Sequence, residues 1–269
     1  MTPLESPLPT FYIPHGGGPW PFMPERAATL GSLTAFLTGL LAGVGPPSPR
    51  AIVVVSGHWE EPVPTVSSRS DYSMLYDYYG FPEETYRLQY PAPGSPEVAR
   101  EVGGALAAAG FPSTAEHGRG YDHGVFVPFM LVAPEATIPI VPLSLVSGLE
   151  PAQHIAIGRA LAPLRRDNVL IVGSGMSFHN LRALYGGADV LARSKRFDAW
   201  LNDAVTDDPA RRDARLAQWA SAPEARFAHP REEHLLPLMV AAGAAEGDRG
   251  QRVFNDDIMG AVTSGFRFG

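Results

Sequence analysis

The sequence predicts an α/β fold, a single domain with a central, mostly parallel or mixed sheet flanked by helices. Short apolar runs rich in β-branched residues recur along the chain, which is typical of strands covered on both faces. Segments with helical periodicity lie between these runs, and this alternation indicates βαβ units. The 269 residues are 45% hydrophobic and show no internal repeat or linker-like shift in composition. One domain spanning residues 1–269 is therefore expected.

Four apolar segments are predicted to contain strands. They are Pro9–Ile13, Ala51–Gly57, Ala136–Val146 and Asn168–Gly175. The run AIVVVSG at 51–57 is apolar throughout, as a parallel strand between two helical layers would be. The prolines within 136–146 favour a position near the sheet edge or at a bulge, because proline cannot donate a hydrogen bond to the ladder.

Four helices are predicted between and after these strands. They span Ser95–Ala109, Ala152–Leu164, Ser194–Val205 and Glu232–Ala245. The first begins with a serine N-cap followed by proline. The last carries carboxylates in its opening turn, where the helix dipole favours negative charge. In such an alternating fold, ligands bind beyond the carboxyl ends of the strands.

Composition excludes several classes of function. The net charge is −7 and the pI near 5.6, without a lysine and arginine cluster, so no nucleic-acid partner is expected. The chain has no cysteine, which excludes disulfides and thiolate chemistry and leaves His, Asp, Glu or backbone oxygen as metal ligands. No signal-like N-terminus is present, and the most apolar stretches, 124–134 and 136–149, are too short and interrupted to span a bilayer. We expect a cytoplasmic protein without membrane contact; no pattern indicates its oligomeric state.

Three of the eight histidines follow predicted strands closely. His15 comes after the first strand, His58 directly after AIVVVSG, and His179 shortly after NVLIVGSG. A single histidine at a strand end is more often an ordinary loop residue. Three of them in a cysteine-free chain favour a metal site, because imidazole is the commonest metal ligand in proteins.

The segment HPREEHLLPLM holds the candidates that would complete such a site. His229 and His234 are five residues apart, which is poor spacing for one helical face, and no HExxH pair is present. Either histidine, or Glu233, could add a ligand to His15 and His58. His229 precedes a proline and is expected to help the entry into the late helix.

The remaining histidines have simpler interpretations. His154 is expected to be an ordinary helix residue and His117 a surface-loop residue. His123 follows Asp122, which either fixes the tautomer of the histidine or caps the next turn.

The glycines of HGGGPW match neither nucleotide-binding pattern, because GxGxxG and the Walker motif are both missing. HGGG resembles the oxyanion-hole segment of lipases, but no GxSxG nucleophile elbow accompanies it, and Ser174 in GSG lacks the flanking pattern. We interpret the three glycines as clearance for a small ligand beside His15.

Five segments in chain order carry a family resemblance. They are IPHGGGPW, VVVSGHWE, YDHGVFVP, GSGMSFHNL and HPREEHLLPL, with YPAPGSPE as a further stretch. Together they resemble the class III extradiol ring-cleavage dioxygenases, most closely the single-chain DOPA 4,5-dioxygenase type. The resemblance covers the chain from about Thr10 to Met239. Each motif is weak alone, but their order and spacing are specific for the family, although not for the substrate.

The resemblance implies an α/β domain with a mononuclear non-haem Fe(II), often replaced by Zn(II), that binds a catechol and O2. His15, His58 and His234 match the metal ligands. Glu233 is an alternative third ligand, because the two-subunit relatives use a carboxylate there. His179 matches an acid/base residue that could instead be a fourth ligand, and His123 matches a residue lining the substrate pocket with a share in catalysis.

Two other functions remain open on the sequence. The same histidines could hold a zinc ion in a hydrolase, with metal-bound hydroxide as nucleophile. Alternatively, the chain could be a catalytically silent relative that serves in signalling or interaction.

Overall fold

An eight-stranded mixed sheet forms the centre of the computed structural model, which describes Leu4 and residues 6–269. Within these residues the strands are β1 Thr10–Pro14, β2 Ala51–Glu61, β3 Thr65–Ser67, β4 Thr114–Glu116, β5 Ile140–Val146, β6 Val169–Gly175, β7 Gly250–Ile258 and β8 Ala261–Phe268. Their spatial order is β4-β3-β5-β2-β6-β1-β8-β7. Residues 1–3 and 5, which contribute to the expectation about the N-terminus, lie outside the described residues.

The middle of the sheet is parallel and its flanks contain antiparallel pairs. Strands β5, β2, β6 and β1 run parallel, with Val54 opposite both Pro142 and Val172. Strand β8 pairs antiparallel with β1, and β7 antiparallel with β8. The predicted α/β fold with a mostly parallel or mixed sheet is confirmed.

Nine helices accompany the sheet in the described part of the chain. They are α1 Pro24–Thr29, α2 Gly31–Gly39, α3 Pro96–Ala108, α4 His123–Val132, α5 Pro151–Leu161, α6 Ala188–Val205, α7 Pro209–Ala217, α8 Ala225–Ala228 and α9 Leu236–Ala244. As predicted, Ser95 caps α3, its side chain accepting a hydrogen bond from the backbone N–H of Val98. No helix in these residues has both the length and the apolar character needed to cross a bilayer.

Helices cover both faces of the sheet and bury two apolar cores. On β2, Val53 and Val55 point into the core that includes α3, α5 and α9. The alternate residues Ile52 and Val54 point into the core on the opposite face, which includes α2 and α4. Both layers exclude water from the strand, which explains why the sequence of β2 is apolar without alternation.

The start of the late helix differs from the prediction. Residues 232–235 form a turn in which the carbonyl of Glu232 accepts hydrogen bonds from the N–H groups of Leu235 and Leu236, and α9 begins only at Leu236. The expected carboxylates in its first turn are therefore wrong. Burial of α9 against α5 and the sheet requires an apolar helix, and the polar residues before it stay in the turn.

Three further elements correct the sequence-based expectations. Strand β5 lies inside the sheet, not at its edge, but the alternative expectation of a bulge agrees with the register shift in its pairing with β2 between Val55 and Glu60. Helix α4 gave no periodic signal because it is buried on all sides and contains Pro128. The β7–β8 hairpin has no alternating sequence pattern, because β8 is buried along nearly its whole length and a register shift between Arg252 and Phe254 interrupts the pairing.

Candidate metal centre

The structure brings together the five histidines that the sequence singled out for the site. His15 follows β1, His58 lies inside β2 beside its register shift, and His123 begins α4. His179 lies in the loop after β6, and His234 in the turn before α9. The ring centroids of His15, His58 and His234 are 4.6 to 5.2 Å apart. His58 was expected directly after its strand, but β2 continues to Glu61. The cluster forms because the parallel pairings of β1 and β2 with β6 end at the same edge of the sheet, at Pro14 and Ser56.

Glycines in β2 and β6 leave space for the turn that carries His234. A Cβ at Gly175 would lie 2.1 Å from the carbonyl oxygen of His234, and one at Gly57 would lie 3.2 Å from its Cα. A Cβ at Gly173 would lie 2.3 Å from the carbonyl oxygen of Pro237. The small residues near the ends of β2 and β6 therefore allow close backbone contact with this turn, in addition to any effect on the strand ends.

The glycines after His15 have a second role besides clearance. Gly16 has φ +76°, and a Cβ there would lie 2.2 Å from the indole nitrogen of Trp20. That nitrogen donates a hydrogen bond to the carbonyl of His15, 2.8 Å away. The GGG segment lines the cavity described below, and the positive φ at Gly16 turns the chain tightly around the indole.

Three ring nitrogens converge without donors between them. The Nδ1 of His15 lies 2.7 Å from the Gly16 carbonyl, and its buried Nε2 has no hydrogen-bond partner in the described structure. The Nε2 atoms of His58 and His234 are 3.1 Å apart. In all three rings an oxygen lies beside Nδ1, so we assign the proton to Nδ1 and a lone pair to Nε2. Three facing lone pairs repel one another unless a cation lies between them, and this donor set suits a divalent metal ion.

Electrostatics keep these rings neutral near pH 7. Burial, with a contribution from His123, lowers the pKa of His58 to about 3. Burial and neighbouring histidines lower the pKa values of His15 and His234 well below the usual 6.5. Neutral imidazoles are the form that binds metals.

Two carboxylates each bridge a pair of histidines. One oxygen of Glu233 lies 2.9 Å from Nδ1 of His234 and 3.0 Å from Nδ1 of His179. The Asp77 carboxylate lies 2.8 Å from Nδ1 of His123 and 3.4 Å from Nδ1 of His58. Carboxylates in this position orient metal-binding histidines.

Both bridging carboxyls remain ionised near neutral pH. Burial raises the pKa of Asp77, but hydrogen bonds from the ring and the backbone N–H of His123, with the electrostatic influence of both neighbouring rings, outweigh it and lower the pKa to about 2. The pKa of Glu233 is likewise lowered, because hydrogen bonding, above all from His179, outweighs burial.

Glu233 and His179 lie to one side of the three converging nitrogens. His15, His58 and His234 each place a ring nitrogen within 4.8 Å of the other two. The ring nitrogen of His179 instead lies within 4.8 Å of ligand atoms of Glu233 and His234. Glu233 contacts the Nδ1 edge of His234, and the Nε2 edge faces His58. The ring of His179 stacks on that of His234 at a centroid distance of 3.4 Å.

Asp122 takes neither of the roles that the sequence suggested. Its carboxylate accepts hydrogen bonds from Ser56 Oγ (2.7 Å) and Arg119 (3.1 Å), and it forms no side-chain cap on α4. Arg119 also donates to the carbonyl of His58. Asp122 therefore braces the backbone around His58, while Asp77 contacts the ring of His123.

A cavity of about 640 Å³ opens over the histidine cluster. Its walls include the aromatic residues Tyr78, Phe81 and Phe178, and the charged side chains of Arg26 and Arg231. Asp77, Tyr78 and Phe81 are not among the residues predicted from the sequence, although the aromatic density of YDYYGF at 76–81 indicates a binding surface.

Three histidines lie outside the cluster. His117 is exposed in a loop, as expected. His154 is a buried helix residue whose Nε2 accepts a hydrogen bond from the N–H of Val146. His229 is fully buried against Phe197 and Trp219, with Nε2 donating to the carbonyl of Ser177, so its expected role in helix entry is replaced by core packing.

Comparison with known proteins shows the family of the chain. The profile of the catalytic LigB subunit of aromatic ring-opening dioxygenase matches residues 23–267. Dioxygenase tasH of Hapsidospora irregularis is 40% identical over 270 residues, which cover 94% of this chain and 82% of that protein. The 4,5-DOPA dioxygenase extradiol of Beta vulgaris is 40% identical over 210 residues, covering 77% of this chain and 78% of that protein.

A solved structure shares the fold. The crystal structure of an uncharacterized protein from Escherichia coli K12 has a TM-score of 0.79 and 27% sequence identity, covering 97% of this chain and 100% of that one. The chain therefore belongs to the LigB-type, class III extradiol dioxygenase family, and it is a ring-cleaving oxidoreductase acting with O2 on a small-molecule substrate.

Proposed function

We propose that the protein inserts O2 into a catechol, DOPA-like or another, at a mononuclear metal held by His15, His58 and His234. The observation that carries this proposal is the convergence of the ring nitrogens of two buried histidines, His15 and His234, and the half-buried His58 beneath a cavity large enough for an aromatic ring. Fe(II) would be the active ion, and Zn(II) would fit the same nitrogen ligands. We take residues 1–269 as one catalytic domain.

The ligand set favours an anionic substrate. Three neutral imidazoles leave the full positive charge of a divalent ion, which attracts a catecholate. A carboxylate ligand would reduce that charge, but Glu233 lies at the far edge of the His234 ring. His234 is therefore our choice for the third ligand, with Glu233 as its orienting partner.

His179 is proposed as the acid/base residue. Its Nδ1 lies beside Glu233, which leaves Nε2 as the basic atom of a ring that lines the cavity. When bound, Fe(II) would acidify the catechol hydroxyls and supply the redox chemistry for O2. His179 takes the proton of the second hydroxyl, and His179 or His123 returns a proton as the ring opens.

The overall change needs no outside reductant. A carbon–carbon bond beside a hydroxyl-bearing carbon breaks, and both oxygen atoms enter the product as part of a carboxylate and an aldehyde. The product is a yellow ring-opened semialdehyde, which gives a direct optical assay.

The position of Arg26 favours a substrate that carries an anionic group. It lines the cavity with its guanidinium 5.2 Å from the ring centre of Phe81, and it forms no ion pair within the described residues. The other lining arginine, Arg231, is paired with the carboxylate of Glu60. Arg26 is therefore available for the carboxylate of a DOPA-like substrate.

Metal replacement tests the proposal. The metal-free protein is reconstituted anaerobically with Fe(II) or Zn(II), and DOPA or unsubstituted catechol is added with air. We expect oxygen uptake and a yellow product with the Fe(II) form and not with the Zn(II) form. The KM for DOPA should be lower than the KM for unsubstituted catechol. Inertness toward every catechol, together with ester or amide cleavage by the zinc form, would establish the hydrolase instead.

His179→Ala tests the acid/base role. Turnover should fall by about 10²- to 10⁴-fold because the proton acceptor is lost, while metal binding, measured by chelator competition, is retained. The matched control is His117→Ala in an exposed loop. Turnover near that of the parent in His179→Ala would contradict the assignment.

A further inference from the structure

Asp77 makes three contacts that converge on two histidines of the site. One carboxylate oxygen lies 2.8 Å from Nδ1 of His123 and 2.9 Å from the backbone nitrogen of the same residue. The second oxygen lies 3.4 Å from Nδ1 of His58. The side chain of Asp77 is 20% exposed and that of His123 is 8% exposed. The carboxylate is thus held in one place by a backbone donor and serves a buried ring.

We propose that Asp77 is a positioning residue that holds His123 as the Nδ1-protonated tautomer, so that an unprotonated Nε2 faces the cavity. The proposal rests on the proposed function, in which a histidine beside the metal exchanges a proton with the substrate. It goes further because it names Asp77 as the residue that determines which nitrogen of His123 exchanges a proton with the substrate.

The geometry leaves one assignment for the ring. An ionised carboxylate only accepts hydrogen bonds, so Nδ1 of His123 must donate. A neutral imidazole carries one N–H, which leaves Nε2 with a lone pair. No group in the described structure forms a hydrogen bond with that Nε2, and the residue lines the cavity.

The location of the carboxylate makes this arrangement rigid. His123 is the first residue of α4, a ten-residue helix whose first backbone N–H groups lack partners within the helix. Asp77 satisfies one of them and places its negative charge where the helix dipole favours it. The same oxygen therefore ties the ring of His123 to the backbone of its own helix.

Asp77 resembles Glu233 in its arrangement. Each carboxylate lies between one proposed metal ligand and one proposed proton-transfer histidine: Asp77 between His58 and His123, Glu233 between His234 and His179. Asp77 comes from a loop remote in sequence, 46 residues before His123. Its placement thus couples loop 68–82 to the site.

Asp77→Asn is the discriminating variant, and Asp71→Asn is its matched control. Asparagine keeps the shape of aspartate but can present its NH2 group to Nδ1, which favours the other tautomer of His123. Asp71 lies in the same loop with a side chain that is 86% exposed. In the Fe(II)-loaded enzyme, Asp77→Asn should lower kcat roughly 10- to 100-fold, with little change in KM. Asp71→Asn should match the parent.

The tautomer is measured without turnover. In zinc-loaded protein labelled with [15N]histidine, the His123 signals are identified by their loss in His123→Gln. We expect a protonated Nδ1 and an unprotonated Nε2 in the parent, and a shift of the proton toward Nε2 in Asp77→Asn. A parent His123 with the proton on Nε2 would overturn the proposal even if the variant did not fold.

Coupling to His123 separates positioning from general destabilisation. In a His123→Gln background, Asp77→Asn should cause a much smaller loss of kcat, because the hydrogen bond to His123 is already gone and only the longer contact with His58, 3.4 Å, remains. An undiminished additional loss, or a kcat for Asp77→Asn within twofold of Asp71→Asn, would refute the inference. If the parent cleaves no catechol, the proposed function fails, and the tautomer comparison still decides the role of Asp77.

Discussion

His234 is fixed through both its ring and its backbone. Its carbonyl accepts hydrogen bonds from the hydroxyl of Tyr12 (2.8 Å) and the N–H of Met176 (3.1 Å). Glu233 contacts its Nδ1, and the ring is 3% exposed. Ligand positions held at several points keep their geometry without the metal, which reduces the cost of ordering them when it binds.

Gly175→Ala should weaken metal binding. The added Cβ would lie 2.1 Å from the carbonyl oxygen of His234, so the turn before α9 must move away from β6. Zinc affinity, measured by competition with a chelator, should fall roughly 10- to 100-fold, as expected when the support of a ligand is disturbed.

The control for this substitution is Gly104→Ala in α3, where a Cβ meets no atom within 4 Å. Alanine should raise the free energy of unfolding by up to about 1 kcal/mol because it favours helix over glycine, and zinc affinity should not change. Equal zinc affinities for the two variants would refute the role of the close contact at Gly175.

At the scale of elements, α5 is tied to β5 through one buried side chain. Nδ1 of His154 donates to the carbonyl of Glu150 at 2.8 Å, and Nε2 accepts from the N–H of Val146 at 3.1 Å. Helix α5 packs directly on α9, where a Cβ at Gly158 would lie 2.2 Å from the carbonyl of Val240. Helix α9 follows the turn that carries His234, so α5 and this turn are connected only through the packing of α5 on α9.

His154→Ala should lower the free energy of unfolding by about 1 to 3 kcal/mol, because it leaves the buried N–H of Val146 without a partner. Urea denaturation measures this loss. Turnover per folded molecule should remain close to that of the parent, since His154 lies outside the cavity. Gln153→Ala, one position earlier on the same helix, is the control. Equal stability of the two variants would contradict the proposed link.

At the scale of the whole molecule, packing keeps two histidines neutral away from the cavity. Burial lowers the pKa of His229 to about 3 and lowers that of His154 as well. His229 lies between two aromatic rings on one side of the sheet, and His154 lies between a helix and a strand. These residues make the stability of the fold sensitive to acid.

The metal-free protein should lose stability as the pH falls below 6.5. In the unfolded chain each of these histidines binds a proton with a pKa near 6.5, whereas in the folded protein its pKa is lower. Each contribution is therefore complete above pH 6.5 and is lost as the pH falls toward the folded pKa, about 3 for His229.

The urea concentration at which half of the protein is unfolded measures this effect. This midpoint should be lower at about pH 5 than at about pH 7.5. Added zinc should raise the midpoint more at the higher pH, because protons compete with the metal for imidazole nitrogen. Identical midpoints for the metal-free protein at the two pH values would contradict the expectation.

The sequence alone determined the alternation of strands and helices and the place of His15 and His179 just after two strands. These features depend on local properties: apolar runs make buried strands, and small residues allow close turns. It also limited the ligands to nitrogen and oxygen, because the chain has no cysteine. The family followed from the order of five short motifs.

The tertiary structure alone decided which carboxylate contacts which histidine, where α9 begins, and what lines the cavity. Asp77 reaches His123 across 46 residues, and Glu233 reaches His179 across 54. Such contacts leave no periodic or local trace in a sequence, because they depend on how loops pack after the sheet has formed. The sequence therefore predicted which histidines cluster, and only the packed fold determined which of their ring nitrogens lie beside a carboxylate.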